Sequence, residues 1–118
     1  MPAESQFEFS ESLPFPEIDL SRLVDGTIVT IAVAGDIDLT TAAIIRRHLQ
    51  RTLRSPPSRL IIDLTKVTFL GSEGIALLID LHKVATALGT VVVLRGTTRR
   101  VTHQILRVTG LTSMFVVE

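Results

Sequence analysis

The 118-residue chain has no Cys, no Trp and no Tyr, and aromatic residues make up only 4% of it. Without cysteine there are no disulfides, no thiolate metal sites and no thiol redox chemistry, which fits a cytosolic setting. Without Trp or Tyr there is little aromatic surface on which a single-stranded nucleic acid could stack. Net charge is absent too. Twelve Lys+Arg balance twelve Asp+Glu, so no overall field draws the chain to nucleic acid or to an anionic membrane. No apolar run approaches the roughly 20 residues of a membrane span. Residues 1–16 are acidic and lack a basic segment followed by an apolar one, so they do not read as a secretory signal. What is present is aliphatic: 46% of the residues are apolar, enough for a core in one domain of this length.

Residues 1–17 are rich in Pro, Glu and Ser without sustained periodicity and read as a flexible tail, with Phe7, Phe9 and Phe15 docking locally. A folded domain is expected over 18–118. A short alternating run, 18–23, meets Asp25-Gly26, a strong hairpin signal, and 28–34 forms the returning strand. Thr40 or Thr41 can cap a helix running to Arg54, with Ala42, Ile45, Leu49 and Leu53 on its inner stripe and its arginines in water. Pro56-Pro57 ends it. Leu60-Ile61-Ile62-Asp63-Leu64 is a continuous apolar run, as in a central strand covered on both faces. A loop then leads to Ser72, which is placed to cap a helix running to Leu88, with Leu77, Leu78, Leu81, Ala85 and Leu88 inward. Gly89 stops it, 90–94 is another buried strand, and Thr97 or Thr98 caps a third helix with Val101, Ile105 and Val108 inside. Residues 114–117 close the chain as a strand.

The expected order is β-β-α-β-α-β-α-β: an α/β fold with a mixed, mostly parallel sheet opened by an antiparallel hairpin. In such sheets sites collect beyond the carboxyl ends of the strands. Three loops belong there: Gly35-Asp36-Ile37-Asp38, residues 65–74, and Arg95-Gly96-Thr97-Thr98.

Enzyme chemistry finds little support in these loops. A nucleophile elbow reads G-x-S-x-G, but Leu70 stands two residues before Ser72, and the strand is expected to stop near Leu64. Asp80 and His82 follow on the same helix and are expected to face outward. His48, His82 and His103 fall on three different helices, without the pairing a metal site needs. Asp36 and Asp38 have no evident third ligand, so no metal is expected; Asp38 also has the position of a helix start. Arg95, Arg99 and Arg100 lack a phosphate-binding glycine loop, and the arginines of the first helix read as a solvated face that can also meet an acidic partner.

Four stretches taken together resemble the STAS domain, and within it the bacterial anti-sigma factor antagonists: Gly35-Asp36-Ile37-Asp38-Leu39-Thr40-Thr41-Ala42, Leu60 to Leu64 with Val67-Thr68-Phe69-Leu70, Ser72-x-Gly74, and Val108-Thr109-Gly110-Leu111. The resemblance covers about 18–117. It implies a cytoplasmic protein that acts by contact, with no catalysis and no cofactor of its own. Its partner would be an anti-sigma factor that is also a serine kinase. Binding would free the sigma factor, phosphorylation of Ser72 would end the binding, and a phosphatase would reverse it. The partner-binding set implied is Asp36, Asp38, Thr40, Gly71, Ser72, Glu73, Gly74 and Thr97. The family pattern Asp-Ser-Ser/Thr-Gly reads Gly71-Ser72-Glu73-Gly74 here, which removes one carboxylate and adds another beside Ser72. The alternative is a STAS scaffold that is never phosphorylated, such as an accessory subunit of a membrane transport complex, in which Ser72 is only a cap.

Overall fold

The computed structural model describes residues 6–12, 18–97 and 100–118. Its strands are β1 (Gln6–Ser12), β2 (Ile18–Asp25), β3 (Ile28–Ile37), β4 (Arg59–Leu70), β5 (Val91–Arg95) and β6 (Val116–Val117). Its helices are α1 (Leu39–Thr52), α2 (Ser72–Ala87), α3 (Arg100–Val108) and α4 (Leu111–Met114). Among the described residues the six strands form one sheet in chain order. β1, β2 and β3 pair antiparallel, and β3 through β6 pair parallel. The mixed α/β architecture expected from the sequence is therefore the one observed.

The hairpin forms with Asp25 opposite Ile28, and Gly26 and Thr27 make the turn. The stretch expected to be a flexible tail contains β1, whose residues pair with β2 from Gln6↔Val24 to Ser12↔Asp19. Its alternation of Phe and polar residues is too short to call a strand alone; the open edge of β2 supplies the missing ladder. Phe15 and the side chains of Phe7 and Phe9, on which the expected docking falls, lie outside the described residues.

The core is aliphatic. Ile31, Leu60, Leu64, Val67, Leu94 and Leu106 are fully covered, and α1 adds Ala42, Ile45, Leu49 and Leu53 as expected. In α2 the inward set Leu77, Leu78, Leu81 and Ala85 holds, but Leu88, the C-cap, is 47% exposed. In α3 the expected stripe holds at Ile105, which is half-buried against the core, and fails at Val108. Thr102 and Leu106 are buried and Val108 is 73% exposed, while the side chain of Val101 lies outside the described residues. The residues expected as a last strand are divided: Met114 ends α4, and only Val116 and Val117 pair with β5.

The largest difference is in β4. It does not stop near Leu64 but runs to Leu70, twelve residues in all. Two irregularities each insert one extra residue into β4 against β3, between Ala32/Ala34 and between Gly35/Asp36. Each insertion converts the strand period of two into a step of three, so the buried residues fall at Leu64, Val67 and Leu70. That spacing resembles neither a strand nor a helix in the bare sequence. Near the first of these, Gly96 packs against Thr65 so closely that a Cβ on it would stand 2.6 Å from the Thr65 amide nitrogen, with φ at +76°. Only glycine combines that approach with that backbone.

Candidate functional site

The long β4 carries the chain to the head of α2 and sets it beside the head of α1. Ile37 pairs with Leu70, and the Gly71 N–H donates to the Ile37 carbonyl at 2.9 Å. One layer below, the Thr68 hydroxyl donates to Asp36 Oδ1 at 2.5 Å. The ends of β3 and β4 are thus fastened by backbone and side chain.

At the head of α1, Asp38 is the N-cap. Its carboxylate accepts from the Thr41 N–H at 3.0 Å, and the Asp38 N–H donates to Thr41 Oγ1 at 2.9 Å, a reciprocal capping box. The Thr41 hydroxyl donates to the Asp36 carbonyl at 2.7 Å and shares that proton with Asp38 Oδ1 at 3.2 Å. The Thr41 N–H holds the Asp38 carboxyl below its ordinary 3.8, against an opposing push from burial, and the Thr41 hydroxyl adds to the lowering. Thr41 is fully buried, whereas Thr40 is exposed and caps nothing.

The head of α2 is finished differently. The N-cap is Gly71, which has no side chain to offer. Its carbonyl accepts from Gly74 and Ile75 at 3.0 and 3.1 Å, so the helix begins one residue earlier than expected. Ser72 is consequently the first helical residue, not the cap. It is exposed, and its hydroxyl makes no hydrogen bond to the described residues. Glu73 follows, half-buried, with its charge at the positive end of the helix.

Gly74 is buried, and a Cβ on it would stand 2.5 Å from Leu70 Cδ1 and 2.8 Å from Ile37 Cγ2. It lets α2 close onto the strand ends and offers no surface to a partner. Thr97 is 3% exposed and is likewise internal. The third loop packs at Thr65, roughly 15 Å short of Leu70 along β4 at strand spacing. The three loops expected at one end therefore divide: two meet at Ser72, and the third is set back because β5 stops opposite Asp63. Thr98 and Arg99 lie outside the described residues. Around the open head of α2 stand two exposed apolar side chains that sequence reading missed as site features, Leu39 (71%) and Phe69 (49%). Leu39 could have been noticed as the apolar residue directly after a cap.

A hydrolase constellation is not assembled around Ser72. β4 does reach to within one residue of α2, closer to an elbow than the sequence suggested, but Asp80 is held by Arg46 at 3.0 Å. His82, expected to face outward, stands edge-on against Phe115 with centroids 5.1 Å apart. Arg95 is paired with Glu118 at 2.7 Å. Among the described residues no group of three or more His, Asp or Glu converges on a cation position. Among the described residues no helix is long and apolar enough to cross a membrane.

A six-stranded sheet with parallel crossovers and a serine-headed second helix defines a class. Residues 20–118 match the model of the STAS domain, and the chain belongs to that family. It is similar to the anti-sigma-F factor antagonist RsfB of Mycobacterium tuberculosis, 36% identical over 78 residues; the match spans 64% of this chain and 64% of that relative. It superposes on an anti-sigma factor antagonist from Mycobacterium paratuberculosis with a TM-score of 0.73 at 29% identity, covering 91% of this chain and 89% of that one. It shares its fold with the Bacillus cell fate determinant SpoIIAA in its phosphorylated form, with a TM-score of 0.61 at 15% identity over 97% of this chain and 90% of that one.

Proposed function

We propose that the chain is an anti-sigma factor antagonist of the cytoplasm that acts by protein contact and has no catalysis of its own. It binds an anti-sigma factor of the serine-kinase type and thereby releases a sigma factor. Phosphorylation of Ser72 by that kinase ends the binding, and a phosphatase restores it. The observation that carries the reading is the exposed, uncommitted hydroxyl of Ser72 at the head of α2. No capping bond has to be broken for a kinase to reach this hydroxyl. Phosphate adds about −1.5 to −2 charges. The free N–H groups of the first turn tolerate it within the protein, while an acidic partner surface is repelled, so the complex separates without refolding.

The test uses ATP and the purified anti-sigma kinase of the same genome. Intact-mass and peptide analysis should find one phosphate, on Ser72. A phosphate elsewhere, or none, removes the switch. Glu73 supports a second reading, because its carboxylate stands beside the acceptor and opposes an incoming ATP phosphate. On that reading the chain is an unphosphorylated STAS scaffold, for example an accessory of a membrane transport complex, and Ser72→Ala and Ser72→Asp should bind the partner equally well. Unequal binding restores the first reading.

A further inference from the structure

Glu73, the neighbour of Ser72, stands at one end of a longer feature. Between the heads of α1 and α2 lies a notch of about 180 Å3, lined by Leu39, Ala42, Ala43, Arg46, Glu73 and Ala76. Its walls are small and apolar, and its two charged members are Arg46 and Glu73. Farther along the same helix pair is a shallower depression, of about 60 Å3, bordered by Gln50, Leu53, Leu77 and Val84, and Arg46 borders this one too. The Arg46–Asp80 ion pair stands between the two. Ala43 and Gln50, one in each depression, are seven residues apart on α1, roughly 10 Å at the helical rise. That is the separation of i and i+7 on another helix, the usual anchor spacing when an amphipathic helix lies in an apolar groove.

Charge narrows the occupant. α1 contains no acidic residue. Arg47 and Arg51, one turn apart, are exposed and have no ion-pair partner among the described residues; Arg54 follows them just past the helix. Like charges four residues apart weaken an isolated helix. In a chain with no net charge, this row is a local positive field best met by carboxylates. Neither α1 nor α2 carries a Phe, Tyr or Trp on which a base could stack, and Glu73 and Asp80 lie within the same face, which disfavours an anionic bilayer.

We propose that this groove takes an amphipathic acidic helix of the anti-sigma factor, with apolar residues at i and i+7 filling the two depressions and carboxylates over Arg47 and Arg51. Glu73 selects a neutral or basic residue at the Ser72 end of that helix. The inference rests on the antagonist reading above and adds to it the chemistry of the partner.

The probe is the same purified anti-sigma kinase, with affinity measured by calorimetry. Ala76→Leu and Ala43→Leu fill the notch from two exposed positions, so neither needs the core to move. Each should weaken binding by about tenfold or more, as blocking an anchor pocket does, while the thermal unfolding midpoint stays near that of the wild type. Arg47→Glu combined with Arg51→Glu should weaken binding by about tenfold in low salt, and by less as salt is raised. Binding within about twofold of wild type for both sets, on the scale where tenfold marks an anchor, overturns the groove and leaves the antagonist reading intact. A wild-type chain that binds no anti-sigma factor overturns both. Attachment of the wild type to duplex DNA or to phosphatidylserine vesicles, lost on the double charge reversal, assigns the arginine row to another occupant and overturns the proposal.

Discussion

The heads of α1 and α2 meet at the same end of the sheet and are built to opposite specifications. At α1, Asp38 and Thr41 satisfy each other's backbone, and Thr41 is buried. At α2, the cap position is a glycine, and the hydroxyl one residue on is left in water. The first head is locked by side chains. The second is held only by backbone and close packing, through the Gly71–Ile37 hydrogen bond and the contact of Gly74 with Leu70 and Ile37. The difference shows how a fold can hold a helix firmly in place while keeping its first side chain uncommitted. The anchoring has been moved off the serine and onto its neighbours.

That contrast can be broken most severely at Gly74. Gly74→Ala adds a methyl where there is no room, and overpacking should outweigh the better helix propensity of alanine, for a net loss of about 1–2 kcal/mol in denaturant unfolding. An unchanged midpoint would mean that α2 is not seated by this glycine.

Asp38→Ala should cost about 1 kcal/mol by removing the α1 cap. Its pH dependence has a definite sign. The folded carboxyl lies below 3.8, so the ionised form stabilises the native state. The contribution is complete above the unfolded value near pH 4 and is lost as pH falls through the folded value beneath it. Wild type should therefore lose stability below about pH 4 more steeply than Asp38→Asn, which has no such proton to bind. Parallel acid curves for the two proteins would contradict the capping geometry.

Gly71→Asp restores a carboxylate at the α2 cap. The backbone there has φ −85°, and the nearest obstacle to a Cβ is the exposed ring of Phe69 at 3.0 Å, which can turn aside. A gain of a few tenths of a kcal/mol is expected, making the two heads alike. Smallest of all is Ser72→Ala. Were the serine a cap, its loss would cost about 1 kcal/mol; as an uncommitted first residue it should change stability by no more than about 0.5 kcal/mol. Thermal melts of Ser72→Ala beside Asp38→Ala test the comparison directly.

Much of this was legible in the residues. The alternation of strands and helices, the hairpin at Asp25, the apolar stripe of α1 and the position of Asp38 at a helix start all follow from short-range patterns. So does the placing of Ser72 at the head of a helix. The far half of β4 was not legible, because two inserted residues erase the alternation that marks a strand. The capping role assigned to Ser72 failed for a related reason. Side-chain preference favours serine as a cap, but the bond from Gly71 to Ile37 comes from a strand more than thirty residues away. Gly74 and Thr97 belong to the partner-binding set that the resemblance implies, and packing shows that both are internal.

By itself, then, the sequence determined an aliphatic α/β domain without thiols, net charge or an apolar run as long as a membrane span, and it set Ser72 at the head of a helix. Local preferences suffice for that, since helix and strand periods repeat within a few residues. The tertiary structure decided that Gly71 rather than Ser72 caps α2, and that the serine hydroxyl is left free. Those outcomes depend on hydrogen bonds and contacts between segments distant in the chain. Which of several adequate caps is used is settled by the partner that arrives from elsewhere in the fold.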